Sequence, residues 1–283
     1  MWTCRFASPL VDSPAVEATC TRSGDEGLTA NALKMPIPDA ATSIVRLSVV
    51  IPAYNEAGRI ERTLDHTVAF LEGRKESWEI VVADDGSRDH TPEIVQRYIS
   101  QHGDQRVRLV ALPQNRGKGA ALRAGVAASR GARVLIMDAD LATPIEELAA
   151  LERALDDGFH VATGSRAVAS ANVTRPQSAL RVLMGRAGNL WIRSLAVPGV
   201  HDTQCGFKLF DGDIGRKLFA MAHEDRFGID IEVLCLARRR LSLPIAEIGV
   251  RWEHQEGSKV KWRDYVDVFI KVPRIVWSVL TQS

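Results

Sequence analysis

From position 44 onward, short apolar runs alternate with segments whose apolar residues recur every three or four positions. Runs at 46–51, 78–83, 107–112, 133–137 and 160–163 are rich in Val, Ile and Leu and short enough for buried strands. Between them, 59–71, 92–101, 119–129 and 145–155 carry the helical spacing. Strand–helix alternation predicts an α/β fold with a mostly parallel, Rossmann-like sheet sandwiched by helices. Functional loops then belong at the carboxyl ends of the strands. Residues 1–43, rich in Ser, Thr, Pro, Ala and Gly, show neither period and read as a disordered extension. Two helix starts are marked: Thr91-Pro92, with a cap before proline, and Thr143-Pro144-Ile145-Glu146, with capping-box spacing that makes Thr143 a cap rather than a catalyst.

Three strands end in polar clusters: Pro52-Ala53-Tyr54-Asn55-Glu56, Asp84-Asp85-Gly86-Ser87 and Asp138-Ala139-Asp140. One strand-end Asp is usually a turn former, but a parallel sheet gathers all three clusters on one edge. Asp138 and Asp140, at i and i+2, point to the same side in extended backbone. Two such carboxylates, completed by diphosphate oxygens and water, suit Mg²⁺ (or Mn²⁺), which would neutralise charge on a departing diphosphate. Asn115-Arg116-Gly117-Lys118-Gly119 opens a helix but lacks the endings of a dinucleotide fingerprint or a P-loop. Beside the acidic edge it would let backbone and Lys118 approach a nucleotide.

Composition narrows the classes. The 283 residues carry 36 Lys+Arg against 35 Asp+Glu, a balance that argues against nucleic-acid binding. Cys4, Cys20, Cys205 and Cys235 form no CxxC, so reduced thiols are the plain reading. No apolar stretch approaches the roughly 20 residues of a spanning helix, and nothing before Val45 reads as a secretory signal.

The order VVIPAYNE, VVADDGSRDHT, NRGKGAALRAG, MDAD, GSRA, DTQCGFKLF and EGSK resembles the family 2 glycosyltransferases of the GT-A fold. Within them it is most similar to the dolichyl-phosphate (polyprenyl-phosphate) glucosyltransferases, with the dolichyl-phosphate mannosyltransferases as relatives. The likeness runs from Leu47 to Lys259. It implies that Pro52, Ala53, Tyr54, Glu56 and Ala139 line the donor nucleotide, with Asp85 reading the base edge. Asp138 and Asp140 would hold metal and diphosphate. Arg166 and Arg181 would meet the acceptor phosphate or the donor diphosphate. Asp202 is the best local candidate for a base, although an anionic lipid phosphate needs none. Gln204, in the same segment, would contact the donor near the anomeric carbon, and Lys259 would close over it. The processive QxxRW signature is missing, since Ile248 stands where Gln is required.

Two segments point to a membrane surface. Residues 167–201 hold no Asp or Glu but four arginines, Arg175, Arg181, Arg186 and Arg193. Leu180, Leu183, Met184, Ala187, Leu190, Trp191 and Leu195 form an apolar stripe that either packs on the core or lies at an interface. In 265–280, Asp267, Lys271, Arg274 and Ser278 form one narrow polar face, and Pro273 should kink the helix or start a second one. Arg226, Asp230 and Glu232 read as a structural cluster or a surface helix.

These features predict a catalytic domain over 44–250 and a C-terminal lid with an amphipathic membrane-surface helix over 251–283, peripheral on the cytoplasmic face. The resemblance implies inverting transfer of glucose from UDP-glucose to polyprenyl or dolichyl phosphate. A second copy of the chain or a small membrane protein would be a further partner. GDP-mannose or a UDP-N-acetylhexosamine as donor, and a non-catalytic nucleotide-sugar-binding protein, are the alternatives. An aspartyl-phosphate phosphatase is disfavoured, because DxD here ends the fourth strand rather than the first.

Overall fold

The computed structural model describes residues 45–103, 105–168, 171–173, 191–253 and 262–281. Strands β1 (Leu47–Ala53), β2 (Trp78–Asp84), β3 (Val107–Ala111) and β4 (Arg133–Ile136) alternate with helices α1 (Ile60–Glu72), α2 (Thr91–His102) and α3 (Lys118–Ala128). A 3₁₀ turn (Ile145–Glu147) leads into α4 (Leu148–Asp156), followed by β5 (Val161–Ser165) and the short β6 (Asn172–Val173). Then come β7 (Lys208–Asp211), α5 (Gly212–Met221), α6 (Ile229–Cys235) with a π-helical extension (Leu236–Arg240), β8 (Ile245–Gly249), β9 (Arg251–Trp252) and α7 (Trp262–Thr281).

Seven strands form one sheet in the order β3-β2-β1-β4-β7-β5-β8, and β6 pairs with β9 apart from it. All pairings are parallel except those of β7, which runs antiparallel to β4 and to β5. The mostly parallel expectation therefore holds, with one strand that the periodicity did not reveal. KLFD is four residues long and follows a polar loop, too short to display a period. Because β7 runs backwards, its first residue Lys208 pairs with Ile136 at the end of β4. The 201–207 loop thus arrives on the same edge as the ends of β1, β2, β4, β5 and β8.

Strand side chains alternate between two cores. Val50, Val81, Ala83, Val134 and Ile136 face the layer of α3, α5, α6 and α7. Val49, Ile51, Ile80, Val82 and Leu135 face the layer of α1, α2 and α4. Each fully buried aliphatic side chain contributes about 1.5–3 kcal/mol, so burial on both faces holds the sheet edge in place. At the opposite edge, Glu79 is buried and satisfied by the Ser48 hydroxyl at 2.6 Å, the Arg130 backbone at 2.6 Å and the Arg108 guanidinium at 2.8 Å.

Several local expectations are corrected. Thr143 caps nothing: Pro144 precedes the 3₁₀ turn and no side-chain cap forms. Thr91 is inside α2 rather than before it. Pro273 does not start a second helix, since α7 runs through it. Of the two readings of Asp230 and Glu232, their burial fits the structural cluster and not the surface helix. On α7, Val272, Ile275 and Val279 enter the core, while Ile270, Trp277 and Leu280 stand 59–70% exposed. Lys271 reaches Glu224 at 3.4 Å, while Arg274 is exposed on the same side as those three apolar residues. Trp191 and Leu195 belong to a helical piece at 191–195; the rest of the predicted stripe and residues 1–43 lie outside the described residues.

Gly125 of α3 lies directly on the sheet: a Cβ there would sit 2.6 Å from Val50 Cγ1 and 2.9 Å from Ala83 Cβ. Gly125→Ala should cost about 1–3 kcal/mol by overpacking, read as an earlier denaturant midpoint with an unchanged slope.

Candidate active site

The first two strand-end clusters are locked into one unit. Asp84 accepts from the Ser87 backbone at 2.9 Å and from the Ser87 hydroxyl. That hydroxyl in turn accepts from Asn55 N at 2.8 Å, and Asn55 Oδ1 accepts from Arg88 N at 2.8 Å. Thr91 Oγ1 accepts from Glu56 N at 2.8 Å, and Asp89 accepts from Ala57 N at 3.1 Å. This explains the DGSRDHT spacing: its short polar side chains take up the N–H groups of the Asn55–Ala57 turn, in which Asn55 has φ 53°. Pro52 and Tyr54 are half-buried beside it, and Glu56 pairs with Arg59 at 2.7 Å.

Asp85 is buried, and burial is the main cause of its raised pKa. It accepts from Asn115 Nδ2 at 2.7 Å, Arg116 N at 2.9 Å and Gly117 N at 2.8 Å, anchoring the glycine-rich turn. The glycines of that turn meet protein. Cβ atoms at Gly117 and Gly119 would lie 2.4 and 2.2 Å from the Asp225 and Glu224 carbonyls, and Ala120 N donates to Asp225 O. The missing side chains of this turn thus admit the backbone of residues 224–225. Lys118 does turn to the acidic edge, with Nζ 2.8 Å from Asp138 Oδ1; its pKa is raised by the carboxylates of Asp138 and Asp230 against the opposing effect of burial.

The third cluster is the electrostatic centre. Asp140 has a raised pKa, first from burial and then from the charge of Asp138. Its Oδ1 accepts from Ala142 N at 3.0 Å across a turn in which Leu141 has φ 56°, an uncommon conformation for Leu. Between them Ala139 is buried, its carbonyl accepting from Thr63 Oγ1 at 2.7 Å. Gly206 lies against Asp138: a Cβ there would fall 1.8 Å from Oδ2.

Asp138, Arg166, Gln204, Gly206, Phe207, Ala142, Thr143 and Trp252 line one cleft of ≈ 50 Å³, roomy enough for an ion with water. Thr143, read from sequence as a cap, is thus a wall of the cleft. Arg166 is gripped from behind by Asp202, at 2.7 Å from Nε and 2.9 Å from Nη2, and its guanidinium stacks 5.6 Å from the Trp252 ring. Asp202 is 1% exposed, and Arg166 holds its pKa low despite burial. A carboxylate so held is a weak proton acceptor; it orients Arg166.

Asp138 and Asp140 offer hard oxygen donors, and the space against Asp138 is kept open by Gly206. Among the described residues no third His, Cys, Asp or Glu joins them in a metal-binding group. The pair fits a hard divalent cation whose remaining ligands come from substrate phosphates and water.

Residues 48–217 match the Glycosyl transferase family 2 profile. The chain belongs to this family. Relatives include dolichyl-phosphate beta-glucosyltransferases of Homo sapiens, 37% identical over 82% of this chain and 75% of the relative, and of Drosophila melanogaster, 39% identical over 76% and 69%. A structure of glucosyl-3-phosphoglycerate synthase from Mycobacterium tuberculosis, in complex with Mn²⁺, UDP and glucosyl-3-phosphoglycerate, superposes with TM-score 0.60 over 83% of this chain and 80% of that one, at 21% identity. That likeness is one of fold, the GT-A arrangement expected from the motifs.

This glycosyltransferase therefore brings Lys118, Asp138, Arg166, Asp202 and Gln204 of the expected set around one cleft, with Asp140 adjacent. Pro52, Ala53, Tyr54, Glu56 and Asp85 form the neighbouring strand-end unit. Arg181 and Lys259 lie outside the described residues. Sequence reasoning gave no individual role to Gly206, Trp252 or Lys208, and named Asp230 without its partner Lys208. The one available signal was a charged residue inside an apolar run, as in KLF and GIDIEVL.

Gly206→Ala would push the Asp138 carboxylate aside. A displacement near 1 Å at a reacting centre costs on the order of 100-fold in rate, so turnover should fall by that order while the melting temperature barely moves.

Proposed function

We propose that this glycosyltransferase transfers glucose from UDP-glucose to polyprenyl or dolichyl phosphate, inverting the anomeric centre. The single observation behind the choice of substrates is the extended similarity to dolichyl-phosphate beta-glucosyltransferases. The cleft geometry supports it chemically, because it offers an oriented cation and, among the described residues that line it, no carboxylate besides Asp138.

In this reading Pro52, Ala53, Tyr54, Glu56, Asp85 and Ala139 form the nucleotide side, with Lys118 and Gln204 toward the diphosphate and the sugar. Asp138 and Asp140 would hold Mg²⁺ or Mn²⁺, which supplies stabilisation of negative charge on the departing diphosphate. Arg166, aimed by Asp202, holds the acceptor phosphate, whose oxygen attacks the anomeric carbon as the bond to UDP breaks. The nucleophile is already anionic, so positioning and charge stabilisation carry the catalysis. Arg181 would add a second cation on the acceptor side, and Lys259 in the C-terminal segment would close over the donor.

Among the described residues no helix is long and apolar enough to cross a membrane. The outer face of α7, with Ile270, Trp277 and Leu280 exposed, suits a helix lying in the interface with its aromatic ring at head-group level. We place the 44–250 catalytic domain on the cytoplasmic face of a membrane, with 251–283 as lid and surface helix.

A donor screen with labelled UDP-glucose, GDP-mannose, UDP-GlcNAc and UDP-GalNAc should leave label in extracted lipid only with UDP-glucose; label from GDP-mannose alone overturns the donor. Asp140→Asn should nearly abolish transfer, and wild-type rates in excess divalent metal would remove the cation assignment. The acid limb of the rate should follow the acceptor's second phosphate pKa near 6, with no limb from Asp202, whose lowered pKa keeps it ionised well below that pH. Asp202→Asn should raise the acceptor KM and leave that limb in place. Trp277→Ser with Ile270→Ser should cut flotation with anionic vesicles.

A further inference from the structure

Behind the cleft, four side chains of alternating charge run inward from Asp138. Lys118 Nζ lies 2.8 Å from Asp138 Oδ1 and 3.5 Å from Asp230 Oδ2. The other oxygen, Asp230 Oδ1, accepts from Lys208 Nζ at 2.5 Å. Lys208 also donates to the Cys205 carbonyl, in the loop that carries Gly206. Lys208 and Asp230 are 1% and 6% exposed, a depth at which lysine and aspartate persist only when paired. The pair alone would satisfy that rule, yet Asp230 turns its second oxygen toward Lys118.

Lys118 is thus shared between two carboxylates, one in the cleft and one behind it. Asp138 is also one of the two groups read above as cation ligands, and a lysine ammonium and a divalent cation compete for the same oxygens. We propose that Lys118 is the internal counter-ion of Asp138, shifted toward Asp230 when a divalent cation takes Asp138, and that the buried Lys208–Asp230 pair is the positioning couple that sets this balance. Lys208 fixes one oxygen of Asp230, which leaves the other to draw Lys118 off the Asp138 carboxylate. The exchange breaks no covalent bond: an ammonium already within reach of both carboxylates changes its nearer partner. The inference rests on the cation reading of Asp138 and Asp140, so its test measures the metal alone.

Mn²⁺ affinity, titrated by EPR on the full chain without nucleotide, separates the possibilities. Lys118→Met removes the competitor and should tighten Mn²⁺ binding about tenfold, the order of one charge contact at partial burial. The double variant Lys208→Met/Asp230→Asn keeps the net charge of the cluster and leaves no lone buried charge. It leaves Lys118 to Asp138, and should weaken Mn²⁺ binding by about three- to tenfold. A purely structural role lowers affinity in both variants alike. Weaker binding in Lys118→Met, or unchanged affinity in a double variant that still melts cooperatively, overturns the proposal. If the double variant does not fold, Lys118→Met decides alone, because it leaves the buried pair intact. Absence of Asp138-dependent Mn²⁺ binding in the wild type overturns the cation reading and this inference with it.

Discussion

A carboxylate taken out of water must meet a positive charge or several donors, and this requirement organises the active edge. Asp85, Asp138, Asp140, Asp202 and Asp230 crowd one side of a single sheet. Each is answered by a specific group: Asp202 by the fork of Arg166, Asp230 by Lys208 and Lys118, Asp138 by Lys118, and Asp85 by the donors of the 115–117 turn. Asp140 accepts from Ala142 N, and burial followed by the neighbouring charge of Asp138 raises its pKa.

The same pairing positions backbone. The loops after β1 and β2 are tied by side-chain oxygens that accept from backbone N–H groups, so this part of the strand-end edge is built from turns that hold each other. Loops this interlocked lose little further freedom when a ligand arrives, which is the energetic use of preorganisation. The glycine-rich turn serves the same end by another route: its missing side chains admit the 224–225 backbone, and that contact brings Lys118 beside the carboxylates.

Much of this was legible beforehand. Five strands and four helices lie within a few residues of the expected bounds, because buried parallel strands read as continuous apolar runs and their crossover helices as amphipathic ones. The acidic edge followed from parallel topology alone. The sense of local signals was less secure. Thr143 and Thr91 have the sequence context of caps, yet one lines the cleft and the other accepts from Glu56 N, since a hydroxyl forms whichever hydrogen bond its surroundings offer. For Asp230 the sequence left a structural cluster and a surface helix open, because its burial depends on Lys208, more than twenty residues away along the chain.

The sequence by itself determined the α/β class, the order of the strands that carry chemistry, and the identity of the groups at their ends. These follow from periodicity and from residue types, which are local properties. Only the tertiary structure decided which charges meet. An antiparallel β7 lays Lys208 beside the end of β4, and a segment after α5 packs on the glycine turn. Pairing energies depend on distance and burial, and both are set by contacts between segments far apart in the chain. Asp202 meets the Arg166 guanidinium because of where the two fall in the fold, and no stretch of sequence contains that information.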